Sequence, residues 1–268
     1  MTKTLNLRIV ICGLKNPVKA KLREGRTSVG SWIAIGHPFI SEVLACLGFD
    51  FLVFDMEHSP LNAETVQTLM QSMSFNKKCV PMVRVAWNDL VFIKQALDTG
   101  AYGVIIPWVN TREEAIKAVR YCKYPPEGIR GWGPRRASLY DQEYTKTAND
   151  EILIVVQIET ETALKNLDEI LSVKGIDACL IGQNDLSMSL GIFKQMEHPR
   201  FRAALDEVLE ACRRWGTIPG MYGDYSTINK AIAQGFKFCS LSSDLRLLIK
   251  GAKDSIGEIR GWTPNITQ

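Results

Sequence analysis

The chain has 268 residues, 46% of them hydrophobic, and a formal net charge of +3. That is ample apolar material for a large α/β core. The charge is too balanced, with no basic run beyond a few residues, for a nucleic-acid or membrane-surface role.

No apolar run nears the ~18–20 residues of a membrane span. The opening "MTKTLNLRIVICGLK" has too short an apolar core for a secretory signal and no small-residue cleavage site, so it reads as mature chain. Strands are expected at 28–35 ("SVGSWIAI"), 51–55 ("FLVFD"), 80–85 ("VPMVRV") and 103–107 ("GVIIP"). Four more follow at 152–159 ("ILIVVQIE"), 177–182 ("DACLIG"), 217–222 ("TIPGMY") and 236–241 ("FKFCSL"). Each is a short apolar run rich in β-branched or aromatic residues. Helical patterns lie between them. "LVFIKQALDTG" stops at a glycine, and "TREEAIKAVRYCKYPP" opens on a threonine cap and acids and closes on basic residues and prolines. "TETALKNLDEILSV", "PRFRAALDEVLEACRRWG", "STINKAIAQG" and "DLRLLIKGAKDSIG" follow the same rule.

Strand–helix alternation repeated eight times predicts a (β/α)8 TIM barrel filling residues 1–268 as a single domain. A doubly wound open sheet is the runner-up, weakened by the lack of G-x-G-x-x-G after the first strand. The one long irregular stretch is 125–149, where Trp132, Tyr140, Arg135 and Arg136 argue against disorder. The seven cysteines are scattered, without a CxxC pair. They read as buried free thiols of a reducing, cytoplasmic compartment.

In such barrels the chemistry sits at the C-terminal ends of the strands. The second strand runs into "DMEHSP", which carries Asp55, Glu57 and His58; the third ends at Arg84. The fifth ends with Gln157 and Glu159, the sixth leads to Gly182, Asn184 and Asp185, and the eighth to Ser242, Ser243 and Asp244. Bland readings stand beside these. Asp244 reads as a helix cap, Asp185 as a cap or a ligand, Glu57 as a loop acid or a site residue, and Arg84 as a structural ion-pair member or a substrate contact. His37 and His198, each before a proline, read as loop histidines.

Glu159 and Asp185 on neighbouring strand ends suit a hard divalent cation such as Mg²⁺ or Mn²⁺, which prefers oxygen ligands and keeps open positions for water and substrate. A 2-oxo acid fits those positions, with the metal as a Lewis acid for an enolate. Arg84 offers a fork of donors to the same oxygens. His58 supplies a neutral imidazole to move a proton. Imine chemistry would need a lysine in the mouth; Lys78 and Lys237 lie at strand starts, on the opposite face.

From about Lys19 to Trp262 the chain resembles the class II (metal-dependent) pyruvate aldolases of the 2,4-dihydroxyhept-2-ene-1,7-dioate aldolase family, related to the 2-dehydro-3-deoxyglucarate aldolases and macrophomate synthase. The stretches that carry the likeness are "GFDFLVFDMEHSP", "VRVAWNDLVFIKQALDTGAYGVIIPWVNT", "YPPEGIRGWG", "VVQIET" and "GQNDLS". The resemblance implies His58 as catalytic base, Arg84 as the residue that binds pyruvate and stabilises its enolate, and Asp98 as the aspartate that raises the basicity of that histidine. It implies Glu159 and Asp185 as metal ligands, with Mg²⁺, Mn²⁺ or Co²⁺ as the cation. Gln157 then contacts substrate, and the Asn184 backbone N–H meets the pyruvate carboxylate beside Asp185. Gln183 stands where the family usually has proline.

The implied reaction is reversible retro-aldol cleavage of a 4-hydroxy-2-oxo acid to pyruvate and an aldehyde. The implied assembly is a homo-oligomer, a hexamer built as a trimer of dimers, with the C-terminal helix swapped between subunits. Small molecules are the expected partners. The alternatives are a citrate-lyase-like C–C lyase acting on an acyl-CoA, with Arg130, Arg135 and Arg136 as its basic surface, and a macrophomate-synthase-like or oxaloacetate-decarboxylating enzyme. A catalytically silent scaffold is opposed by the intact His58, Arg84, Glu159 and Asp185.

Overall fold

Eight parallel strands close on themselves in the computed structural model, which describes residues 15–139, 141 and 143–259. The stretch 1–14 with Cys12, together with Tyr140 and Trp262, lies outside the described residues. The strands are β1 (Ser28–Ile33), β2 (Phe51–Asp55), β3 (Val80–Arg84), β4 (Gly103–Ile106), β5 (Leu153–Ile158), β6 (Ala178–Ile181), β7 (Ile218–Gly223) and β8 (Phe238–Ser243). Each pairs with the next, and β1 pairs with β8 through Ser28↔Phe238 and Gly30↔Ser240. All eight expected strands are present, with ends within about two residues.

The helices are α1 (Pro17–Arg23), α2 (Pro38–Cys46), α3 (Ala63–Ser72), α4 (Leu90–Asp98), α5 (Arg112–Cys122) and α6 (Tyr144–Glu151). Then come α7 (Glu161–Lys165), α8 (Leu167–Leu171), α9 (Gln183–Ser189), α10 (Pro199–Trp215), α11 (Tyr225–Gln234) and α12 (Asp244–Gly257). Their starts follow capping chemistry. Thr111 and Glu114 form a reciprocal capping box on α5. His37 and His198 accept through Nδ1 from Phe39 N and Arg200 N, so these two histidines cap α2 and α10.

Because side chains alternate along a strand, two cores result. Phe51, Val53, Val80, Met82, Leu153, Val155, Ala178, Leu180 and Phe238 fill the barrel. Leu52, Phe54, Val83, Val104, Ile154, Val156 and Cys179 face the helices. Gly30 is inward, and a Cβ there would meet the Phe51 ring at 2.2 Å. Its absence admits the Phe51–Phe238 stack, with centroids 4.5 Å apart. Helix α1 closes the bottom: Val18 and Leu22 join the inner core, and Lys19 Nζ donates to Ile152 O and Asp177 Oδ2 at 2.7 and 2.8 Å.

Three expectations need correction. The single helix expected over 160–173 is split between α7 and α8 at Asn166, whose side chain donates to Asn110 O at 2.8 Å and draws the backbone out of register. The irregular stretch 125–149 ends in helix, because Tyr144 and Ala148 bury one face of α6. Residues 128–139 pack on the barrel's lower face. Arg130 is fully buried, donates to Asp98 Oδ1 at 2.7 Å and to Tyr144 Oη at 3.0 Å, and lies over the Tyr124 ring. Arg136 donates to Thr99 O at 2.6 Å. The basic surface expected of Arg130, Arg135 and Arg136 is therefore not one: Arg130 is spent inside the fold. The six described cysteines are free, and only Cys46 is exposed. Among the described residues no helix is long and apolar enough to cross a membrane.

Candidate active site

Strand parity explains why apolar strands end in charge. Asp55 shares the inward parity of Phe51 and Val53, Arg84 that of Val80 and Met82, and Gln157 and Glu159 that of Leu153 and Val155. Once the apolar layers are complete, the next inward position in each strand faces the mouth. There a cavity of about 610 Å³ opens, in the range usual for small-molecule sites. His58, Arg84, Gln157, Asn184 and Asp185 all line it. Asp185 also lines an adjoining cavity of about 470 Å³ with Glu159. No lysine lines either one.

Arg84 is held from three sides. It donates through Nε to Asp55 Oδ1 at 2.8 Å and through Nη2 to Asp55 Oδ2 at 2.6 Å. Its Nη1 lies 3.0 Å from Glu57 Oε2, and its guanidinium sits 4.4 Å from the Trp32 ring centroid. A guanidinium has five N–H donors, so part of the fork remains for substrate oxygens. Asp55 Oδ1 also accepts the N–H groups of Glu57 and His58, which folds "DMEHSP" into a tight turn and turns His58 outward. Burial opposes the Asp55 charge, but the Arg84 bonds and these two amides outweigh it and hold the carboxyl below its ordinary value. Glu57 has the opposite balance. Burial, helped by the charges of Glu159, Asp55 and Asp185 and opposed by Arg84, pushes it up to about 7. His58 Nε2 lies 3.6 Å from Glu57 Oε2, and its ring is 63% exposed to the cavity.

Glu159 is buried and fixed by two donors. Its Oε1 accepts from Trp108 N at 2.7 Å, and its Oε2 accepts from Gln157 Nε2. Trp108 reaches that position with φ at 56°, the left-handed region, which is costly for a tryptophan. Burial raises the Glu159 carboxyl, and the Asp185 charge adds to the rise. Gly182 lies against it: a Cβ there would meet Glu159 Oε2 at 2.6 Å. Only glycine lets the start of α9, which carries Asn184 and Asp185 in its first turn, pass this close. Gln183 has its own tether, its Nε2 donating to Tyr222 O across to β7.

Among the described residues no three His, Cys, Asp or Glu side chains converge as a protein-only metal cage. Two carboxylates beside an open cavity instead match the donor set of a Mg²⁺- or Mn²⁺-type ion, which keeps positions for water and substrate. The Glu159 charge, made costly by burial and by the neighbouring Asp185, would be relieved by such a cation.

Asp98 stands apart from this group. It ends α4, whose C-terminus lies on the lower face of the barrel, and its bond is to Arg130. Within one chain it is not brought to His58. Asp244 is not the cap of α12, as the sequence led us to expect. Ser243 Oγ accepts from Arg246 N as the cap, while Asp244 accepts from Ala34 N and Ile35 N and ties β8 to β1. Sequence reasoning missed Trp32 and Trp108, and named Gly182 only as the end of a strand. Trp32 has the inward parity that could have found it; Trp108 and Gly182 act through backbone and leave no side-chain signal.

The sequence profile of the HpcH/HpaI aldolase/citrate lyase family matches residues 28–251. A 4-hydroxy-2-oxo-heptane-1,7-dioate aldolase from Shigella flexneri is 38% identical over 245 residues, covering 90% of this chain and 91% of that protein. The crystal structure of an HpcH/HpaI aldolase/citrate lyase family protein from Burkholderia cenocepacia superposes with a TM-score of 0.87 at 28% identity, covering 92% of this chain and all of that one. Macrophomate synthase superposes with a TM-score of 0.82 at 25% identity, over 92% of this chain and 88% of its own.

Proposed function

The chain belongs to the HpcH/HpaI aldolase/citrate lyase family, and from that premise we propose how its residues divide the work of a metal-dependent carbon–carbon lyase. The reaction is reversible retro-aldol cleavage of a 4-hydroxy-2-oxo acid to pyruvate and an aldehyde. Glu159 and Asp185 hold the divalent cation, Mg²⁺ or Mn²⁺. When bound, it supplies Lewis-acid stabilisation of the charge that develops on the 2-oxo group.

The observation that carries this reading is the meeting of Asp185, Arg84, Gln157 and His58 in one mouth. Arg84, immobilised by Asp55 and Glu57, presents its remaining N–H groups to the pyruvate oxygens and shares the enolate charge. Gln157 orients Glu159 through Nε2, and the Asn184 backbone N–H faces the pyruvate carboxylate. His58 takes the proton of the C4 hydroxyl. The C3–C4 bond then breaks, its electron pair passes to C3, and the aldehyde leaves; protonation at C3 gives pyruvate. Asp98 raises the basicity of His58 from a neighbouring subunit, in a homo-oligomer built as a trimer of dimers. Its place at the foot of its own barrel leaves it no route to its own His58.

The test separates metal from base. Glu159→Gln and Asp185→Asn are expected to weaken Mn²⁺ binding, measured by titration calorimetry, by at least about tenfold with the circular dichroism spectrum unchanged. His58→Ala should keep Mn²⁺ affinity and lose pyruvate deuterium exchange by about 10²–10⁴-fold. Full aldol activity in EDTA-treated wild type would remove the metal from the mechanism, and unchanged exchange in His58→Ala would remove the base.

A further inference from the structure

The two carboxylates assigned to the cation stand between two cavities of different charge. The mouth, of about 610 Å³, is lined by Asp185 but not by Glu159, and it carries two guanidinium groups, Arg84 and Arg246. The side cavity, of about 470 Å³, is lined by both carboxylates. Its other walls are Trp108 and Asn110 after β4, Thr160 and Thr162 at the start of α7, and Met188 and Ser189 at the end of α9. Among the described residues no lysine or arginine lines it.

The difference follows from chain order. β4, β5 and β6 are neighbours, and the segments that leave them put asparagine, threonine and serine around this cavity in place of basic residues. The cations that meet α7 are already paired: Lys165 and Arg200 each lie 3.5 Å from Glu161 Oε1. Trp108, Thr162 and Met188 are exposed, so the cavity opens to solvent. Glu159, fixed by Trp108 N and Gln157 Nε2, stays at its buried end. A divalent cation entering through the mouth has to pass two guanidinium charges, and like charges in a cleft repel strongly. Entering from the side it meets neutral hydroxyl and amide groups and then the two carboxylates, the oxygen donors a hard cation prefers.

Resting on the metal-dependent reading, we propose that this side cavity is the path by which the divalent cation reaches and leaves Glu159 and Asp185. Trp108, Thr162 and Met188 form its lip. The mouth is then the door for the organic substrate alone. A 2-oxo acid seated against Arg84 leaves the side path open, so the cation can exchange while the substrate half of the site is filled.

The experiment follows Mn²⁺ and the full-length chain in the stopped flow with a metal-indicator dye, as association and as release into excess EDTA. Met188→Trp narrows the side cavity from an exposed position, and Met196→Trp narrows the mouth. Met188→Trp is expected to slow association and release by the same factor and to leave the calorimetric Kd unchanged, because an obstructed path is one barrier seen from both sides. Met196→Trp should leave both rates at the wild-type value. Thr162→Lys sets a positive charge on the lip without bulk in the channel. Its association rate should fall about tenfold at low salt and recover as ionic strength rises. Circular dichroism reads the folding of each variant, and Thr162→Lys decides the matter if Met188→Trp does not fold. Unchanged rates in the folded side-cavity variants, or slowed rates in Met196→Trp, would overturn the path. A wild type that binds no Mn²⁺ in calorimetry would defeat the metal reading itself, whereas normal binding with side-cavity variants as fast as wild type defeats only the path.

Discussion

Glu57 is held above its ordinary value by surroundings that Asp55, two residues earlier, escapes. Both contact Arg84, but Asp55 takes two of its donors and two backbone amides, while Glu57 is left among three other carboxylates. Its folded-state value of about 7 stands above the ordinary 4.5. Between those values the folded chain holds a proton that the unfolded chain releases. Glu57 therefore costs no stability below about 4.5 and an increasing amount as pH rises through 7. Glu57→Gln should remove this dependence. In EDTA, the variant's melting temperature relative to wild type should rise from pH 5 to pH 8, by the equivalent of at most about 3 kcal/mol. Parallel curves for the two proteins would show that Glu57 is ionised across the range. The sequence made His58, Arg84, Glu159 and Asp185 legible because each is a polar residue at or just after the end of an apolar run. The balance between Asp55 and Glu57 was not legible, since it depends on which of them reaches the amides and the Arg84 fork. Trp108, whose contribution is one N–H turned toward Glu159, has no sequence signature at all.

Strands and helices were readable where one period dominated. β2 and β5 are continuous apolar runs, and α10 carries a full amphipathic stripe closed by a left-handed Gly216. The segment after α5 was not readable, because its order comes from one long-range pair. Arg130 is buried against Asp98 from α4, with Tyr124 and Tyr144 on its faces. Burial opposes the Arg130 charge, but Tyr144, Asp98 and Tyr124 outweigh it and hold the group above its ordinary value. Asp98→Ala leaves that cation uncompensated, a change that typically costs about 3–5 kcal/mol when the partner stays buried. The Asp98 side chain is 25% exposed, so the lower end is expected. Urea unfolding of Asp98→Ala should therefore show a loss of about 3 kcal/mol, and Asp98→Ala/Arg130→Met should recover much of it. A single variant as stable as wild type would mean that the pair does not organise this segment. The double variant also isolates the proposed effect of Asp98 on His58: if activity stays low once stability is restored, the aspartate acts on the base as well as on the fold.

Eightfold alternation was enough to read the closed barrel, but not what lies outside it. The pattern of "DLRLLIKGAKDSIG" is the same whether its apolar face meets its own barrel or another's. In the structure it meets little of its own: Asp244 is the only buried residue of α12, and Leu248 and Ile249 are 60% and 45% exposed. Ile256, about two turns further on, is also exposed. Single exposed apolar residues are ordinary, but an apolar stripe along a whole helix calls for a partner surface. Exposed Trp87 and Trp108, whose rings lie 6.2 Å apart beyond β3 and β4, add a second apolar surface. In a symmetric oligomer each such surface is covered by the same chain in another copy. With α12 swapped, its stripe would be covered by a neighbour while Asp244 still anchored its first turn at home. Light scattering should then give a mass several times the 30.0 kDa of one chain. Leu248→Asp/Ile249→Asp places two charges in that contact, where desolvating each is costly. It should lower the mass stepwise while the far-ultraviolet circular dichroism of the barrel persists. A monomeric wild type, or a double variant of unchanged mass, would mean that α12 is a solvent-facing helix and that any assembly uses another surface.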